Sequence, residues 1–157
     1  LRIIASIPDI SAFETRAQFC AVCGMHALGQ DGKKLCKGEI PPNSRGGFPR
    51  KKRGVICDWK PTLRQALYLF DDQLNRNSES VWGAKRKAIK AVYRVKHPVP
   101  VEEVLEGGRK VKRYTDGHIQ NMARWKVLNK FCRFLFAELK RLDKQLSEDE
   151  GQLGKVA

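Results

Sequence analysis

The chain has 157 residues, 41% of them apolar, and a formal net charge of +14 with a sequence pI near 9.9. This length suffices for one ordinary domain with a real core. The apolar fraction is too high for a disordered chain, and no apolar run approaches the roughly 18 residues that span a bilayer. A positive excess of this size points to a polyanionic partner, and nucleic acid is the commonest in a cell.

The excess is concentrated. Residues 1–45 carry +2, residues 46–115 carry +10 and residues 116–157 carry +2. The middle of the chain is therefore the expected anion-facing part, with scaffold or protein-contact surface at the two ends. The sequence opens on Leu1 without a secretory signal pattern, an appearance that transit-peptide removal and truncation share. A mitochondrial location is expected on this ground, with the nucleus as the alternative.

Two regions are expected, 1–60 and 61–157, in a mainly α fold. The core is small, three to four helices, with a short β-hairpin, a long C-terminal helix and an irregular, metal-stabilised N-terminal third. In chain order, LRIIASIP reads as a short strand or arm ended by Pro8. Ser11 and Glu14 stand in S-x-x-E spacing, which predicts a capping box and a helix over about 12–21. Phe13, Ala17 and Cys20 lie on one face of it, and Gly24 ends it. Residues 25–60 are rich in Gly, Pro and Lys without periodicity. An irregular run of that length needs a metal or a partner to organise it.

QFCAVCGMHALGQDGKKLC supplies the metal candidate. Five cysteines, an odd number without a secretory signal, favour metal binding or burial over a disulfide framework. Cys20 and Cys23 form one C-x-x-C knuckle, Cys36 and Cys57 are the candidates for the remaining ligands, and His26 is a substitute. Zinc takes four such soft ligands in a tetrahedron; an iron–sulfur cluster takes the same donors. A redox dithiol is disfavoured, because the pair falls at a helix C-terminus, where the dipole raises thiol pKa. Cys132, on an apolar seam, is expected to be a core side chain.

PPNSRGGFPRKKRG carries Arg45, Arg50, Lys51, Lys52 and Arg53 with one aromatic, Phe48. Such a segment cannot bury a core, and its guanidinium planes and ring suit unpaired bases. A basic cluster of this kind also fits a nuclear import signal.

From Pro61 the pattern is helical, with Leu63, Ala66, Leu67, Phe70 and Leu74 as one stripe. Ser78 or Ser80 caps a second helix over about 80–95, whose core stripe is expected to be Val81, Ala84, Ala88, Val92 and Val95. Arg86, Lys90 and Arg94, with Lys87 beside them, then form an outward cationic line about 6 Å apart, matching successive phosphates. Around the Gly107–Gly108 pivot a hairpin is expected near 101–114. Its acidic arm (Glu102, Glu103, Glu106) faces a basic arm (Arg109, Lys110, Lys112, Arg113), a pairing that supports the register. Thr115 or Asp116 caps a helix over about 117–147, where Leu128, Cys132, Leu135, Leu139, Leu142 and Leu146 form a heptad-like seam.

No phosphate loop, dinucleotide fingerprint, H-E-x-x-H or nucleophile elbow occurs. The sequence therefore reads as a binding protein, not an enzyme. The expected function is that of a structural RNA-binding protein of a large ribonucleoprotein, first of all a mitochondrial ribosome, with rRNA and neighbouring proteins as partners. No membrane and no small-molecule substrate are expected. A zinc-containing DNA-binding or chromatin-associated protein is the alternative.

Overall fold

The computed structural model describes residues 2–26, 56–104, 108 and 110–153. They form helix α1 (Arg2–Ala5), a 3-10 turn (Ile10–Ala12), α2 (Arg16–Val22), α3 (Pro61–Arg76), α4 (Val81–Lys96), strands β1 (Val101–Val104) and β2 (Lys110–Arg113), and α5 (Asp116–Leu153). The chain is mainly helical, with one antiparallel hairpin and a long final helix. The opening residues are helical rather than extended. No helix among the described residues is long and apolar enough to cross a membrane. The chain divides into two compact units, Leu1–Leu67 with Phe131–Ala157, and Tyr68–Lys130.

In the first unit, α2 starts four residues later than its S-x-x-E signal suggests. Asp9, not Ser11, caps the preceding 3-10 turn, its carboxylate accepting from Ser11 N at 2.9 Å. The capping box is Thr15–Gln18: Thr15 Oγ1 accepts from Gln18 N at 3.3 Å, and Gln18 Oε1 accepts from Thr15 N at 3.0 Å. Thr15 and Gln18 thus make the box four residues beyond the expected Ser11–Glu14 pair, whose Ser11 bonds Asp9 instead.

Phe13, Phe19, Met25, Leu63, Leu67, Cys132 and Phe136 are buried here. Phe19 meets Phe13 edge-on at 5.5 Å between centroids and Phe136 at 5.7 Å. Such aromatic pairs contribute about 0.5–1.5 kcal/mol beyond their buried area. Gly24, at φ +68°, turns the chain after α2. A Cβ there would lie 2.9 Å from Arg64 Cδ and 3.3 Å from the Trp59 ring, so both conformation and space demand glycine. The segment before α3 is tied to α2 by Lys60 N donating to Val22 O at 2.8 Å.

In the second unit, the expected faces of α4 are reversed. Val81, Val92 and Val95 are 71%, 65% and 83% exposed, and Ala84 and Ala88 are exposed with them. The buried residues of α4 are Gly83 and Arg86, the latter 3% exposed. The cause lies in α3. Asp71 is fully buried, and Arg86 reaches it with two bonds, Nε to Oδ1 at 2.7 Å and Nη2 to Oδ2 at 3.1 Å. Arg124 of α5 adds Nε to Oδ2 at 2.8 Å and Nη2 to Asp72 at 2.6 Å, while Asn75 accepts from Arg86 Nη1 at 2.7 Å. Leaving a buried carboxylate unpaired costs about 3–5 kcal/mol, and turning α4 to bury its valines would strand the Arg86 guanidinium as well as Asp71. Charge, not hydrophobicity, sets the rotation of α4.

Gly83 fits against the α3–α4 turn. Its N–H donates to Ser80 Oγ at 3.1 Å, the cap of α4, and a Cβ would come within 2.1 Å of Asn77 O. The hairpin pairs the acidic arm with the basic arm as expected, but with Glu102 opposite Lys112 and Val101 opposite Arg113 its register is one residue off the one that a two-residue Gly107–Gly108 pivot sets. Leu105–Gly107 and Arg109 lie outside the described residues.

Along α5, Ile119, Ala123, Val127, Leu128, Cys132 and Phe136 are buried, and the seam opens toward its end: Leu142 is 46% and Leu146 64% exposed. Thr115 caps the helix, its Oγ1 accepting from His118 N at 3.4 Å.

Candidate functional site

The thiol group is built by α2 and α5. Cys20 lies in the last turn of α2 and Cys23 is its C-cap; both are buried, as is Cys132 of α5. Burial first, then the neighbouring Cys23, pushes the Cys20 thiol up to about 11. A hydrogen bond with Cys23 and then burial hold the Cys132 thiol well above its ordinary range. Cys132 is thus a core residue, as expected, and also a neighbour of the knuckle. Nothing in a heptad position announces this proximity in the sequence.

Cys57 is half-buried, three residues before the Lys60–Val22 bond. Cys36 lies outside the described residues. Among the described residues, no group of three His, Cys, Asp or Glu side chains is set to hold a metal. Two soft donors on one turn fit half of a zinc site, and completing it calls on a ligand such as Cys36. A thiol near pKa 11 is ionised to only about one part in ten thousand at pH 7, the opposite of what a reactive dithiol needs.

The predicted cations fall into three groups. Arg45, Arg50, Lys51, Lys52, Arg53 and Arg109 lie outside the described residues. Arg86 is an interior residue, bonded on three of its nitrogens, and does not belong to a surface line. This corrects the expected Arg86–Lys90–Arg94 row. The remaining ones are surface or half-buried positions. Arg94 pairs with Asp116, Lys112 with Glu102 at 3.3 Å and Arg113 with Glu103 at 2.5 Å. Lys87, Lys90 and Lys110 take part in none of the ion pairs among the described residues.

Sequence reading passed over two clusters. Asp71 stands four residues after Leu67 and three before Leu74, inside the apolar stripe of α3. An acid at that position signals a buried partner. The other cluster is a ring stack: His97 lies on Tyr114 at 3.7 Å with planes 3° apart, and Tyr114 on His118 at 5.5 Å and 4°. Tyr114 leaves the hairpin at φ +56°, rare for a bulky side chain. Its N–H donates to His118 Nδ1 at 3.0 Å. Burial first, then the charges of Arg113 and His97, lower the His118 pKa.

Comparison of the chain with known protein families, with characterised proteins and with solved structures finds no match.

Proposed function

We propose that this chain is a structural RNA-binding subunit of a large ribonucleoprotein, with the mitochondrial ribosome the first assembly to test. The observation that carries the reading is the fate of the acidic side chains. Asp71, Asp72, Glu102, Glu103, Asp116, Glu138 and Glu148 are all taken up by internal ion pairs. Internal pairing leaves the net charge at +14, most of it between residues 46 and 115, and leaves few carboxylates of the described residues there to compete with phosphate.

Lys87, Lys90 and Lys110, with the 41–54 segment, supply phosphate contacts that position without reading sequence. Arg94, Lys112 and Arg113 join them by exchanging an exposed carboxylate for a phosphate. Exposed pairs are worth only about 0–1 kcal/mol, so the exchange costs little. Arg86 has no part in binding. A structural zinc on Cys20 and Cys23, completed by Cys36 and Cys57 or by His26, belongs to the same reading and would fix the N-terminal third.

The test is co-sedimentation of the native chain with ribosomal particles at low salt. Its loss after RNase treatment supports the proposal, and a free-standing chain sinks it. The purified protein should bind single-stranded RNA with an affinity that falls linearly in log salt. Specific, tight binding to one short duplex would favour the DNA-binding alternative instead.

A further inference from the structure

We infer that the outward face of α4 is a docking surface for an acidic amphipathic helix of a partner protein. Val81, Ala84, Ala88, Val92 and Val95 recur at steps of three and four and form one line along the helix. The three valines are among the most exposed large apolar side chains of the described residues, at 71%, 65% and 83%.

This face cannot be hidden by turning the helix. Arg86, on the opposite side, is held by Asp71 through two bonds and by Asn75 through a third. Rotating α4 to bury the valines would pull a guanidinium from a fully buried carboxylate. The apolar line is thus presented outward by an anchored helix.

The rim of the face identifies its occupant. At 100° per residue, Lys85 and Lys96 flank the line, and α4 contains no Asp or Glu. A second copy of α4 would set lysine against lysine, so self-pairing through this face is opposed by charge. Nucleic acid gains nothing from a row of aliphatic groups that neither stack nor hydrogen-bond. An anionic membrane is met by bulkier Trp, Phe and Leu side chains; here the centre of the line is Ala84 and Ala88, four residues apart. Alanines between valines leave a shallow groove, which suits the ridge of another helix approaching closely. A partner helix with leucines along its seam and glutamates at its edges fills the groove and neutralises the lysines.

The experiment uses the full chain and a synthetic helical peptide with Leu at its a and d positions and Glu at e and g. Binding is read by fluorescence anisotropy of the labelled peptide. Saturable binding is expected, weakened at least tenfold by Val92→Asp with Val95→Asp and also by the milder Val92→Ser with Val95→Ser. The same peptide with Lys in place of Glu should not bind. Absence of binding by the Glu peptide, or binding that both double variants leave intact, overturns the inference. So does a fully apolar-driven result in which the Lys peptide binds equally. Phosphatidylserine vesicles, or dimers in sedimentation, that respond to the same variants while the Glu peptide does not would assign the face to membrane or to self-association and reject the helix.

Discussion

Arg86 and Asp71 are fifteen residues apart in sequence and meet through two parallel hydrogen bonds, 2.7 and 3.1 Å long, in the interior of the second unit. A planar guanidinium and a carboxylate match in this way where a lysine would offer a single point of charge. The same carboxylate also accepts from Arg124, and the pairing keeps the Arg124 pKa raised despite burial acting against its charge. One acid therefore orients two helices.

Asp71→Ala should cost about 3–5 kcal/mol, since it strands two arginines in a site built for them. Urea denaturation followed by circular dichroism measures the loss. Asp71→Asn should be milder but still destabilising. Arg86→Met combined with Asp71→Leu should restore much of the stability, because apolar replacement of a whole buried pair is often neutral. A wild-type melting curve for Asp71→Ala alone would rule out the buried network.

Gly83→Ala distinguishes geometry from propensity. In an open helix the change stabilises by about 1 kcal/mol. Here the new Cβ would meet Asn77 O at 2.1 Å and press on the Ser80 cap, so the sign reverses and stability falls. A thermal melt reads the difference directly, and a higher midpoint for the variant would contradict the packing of the α3–α4 turn.

Acidification should weaken the hairpin exit. The His118 pKa is lowered from its ordinary 6.5, by burial first and then by Arg113 and His97. The unfolded chain therefore takes up this proton before the folded one. Stability from this group is complete above 6.5 and declines as the pH falls through that value toward the lower folded pKa. Protonation at Nδ1 also removes the acceptor used by Tyr114 N–H. The urea midpoint should step down in this range, above the region where carboxylates titrate, and His118→Asn should flatten the step.

In the metal-free chain, Cys20 and Cys132 should react with iodoacetamide only as fast as the protein unfolds. Burial raises Cys20 to about 11 from an ordinary 9.0. Stability from this thiol is full below pH 9.0 and is lost as the pH rises toward 11, because the unfolded chain ionises first. Rapid modification of Cys20 at pH 7, followed by mass spectrometry of its peptide, would contradict its burial. Added zinc should bind in a ratio of one ion per chain and release protons, with Cys20→Ser and Cys23→Ser abolishing it. Zinc content unchanged in the double variant would remove the knuckle from the proposal.

How much was legible in the sequence varies from element to element. Of the stripe Leu63, Ala66, Leu67, Phe70 and Leu74, all but the half-buried Phe70 are buried on α3, because apolar periodicity and burial coincide there. Opposite charges showed which arms pair, acidic against basic, but not the exact register: a one-residue slip would also match Glu102 and Glu103 with cations, whereas here Glu102 faces Lys112 and Glu103 faces Val111 and reaches Arg113 diagonally. In α4 the same method failed. Its period correctly located an apolar line, but which side of a helix turns inward depends on what its neighbours bury. Asp71, buried on α3, draws Arg86 inward, and the two lie on different helices. The clue was present as an acid in a leucine stripe. The proximity of Cys132 to Cys23 has no comparable signal, because it arises from chain segments more than a hundred positions apart.

The stacking of His97 on Tyr114 at 3.7 Å has a spectroscopic consequence. The imidazole ring current shifts the tyrosine's own protons upfield, away from those of the two other tyrosines of the chain. That resolved resonance is a built-in reporter, needing no label. It moves toward its random-coil position when the strand-to-helix junction loosens and stays put when a ligand settles elsewhere on the molecule.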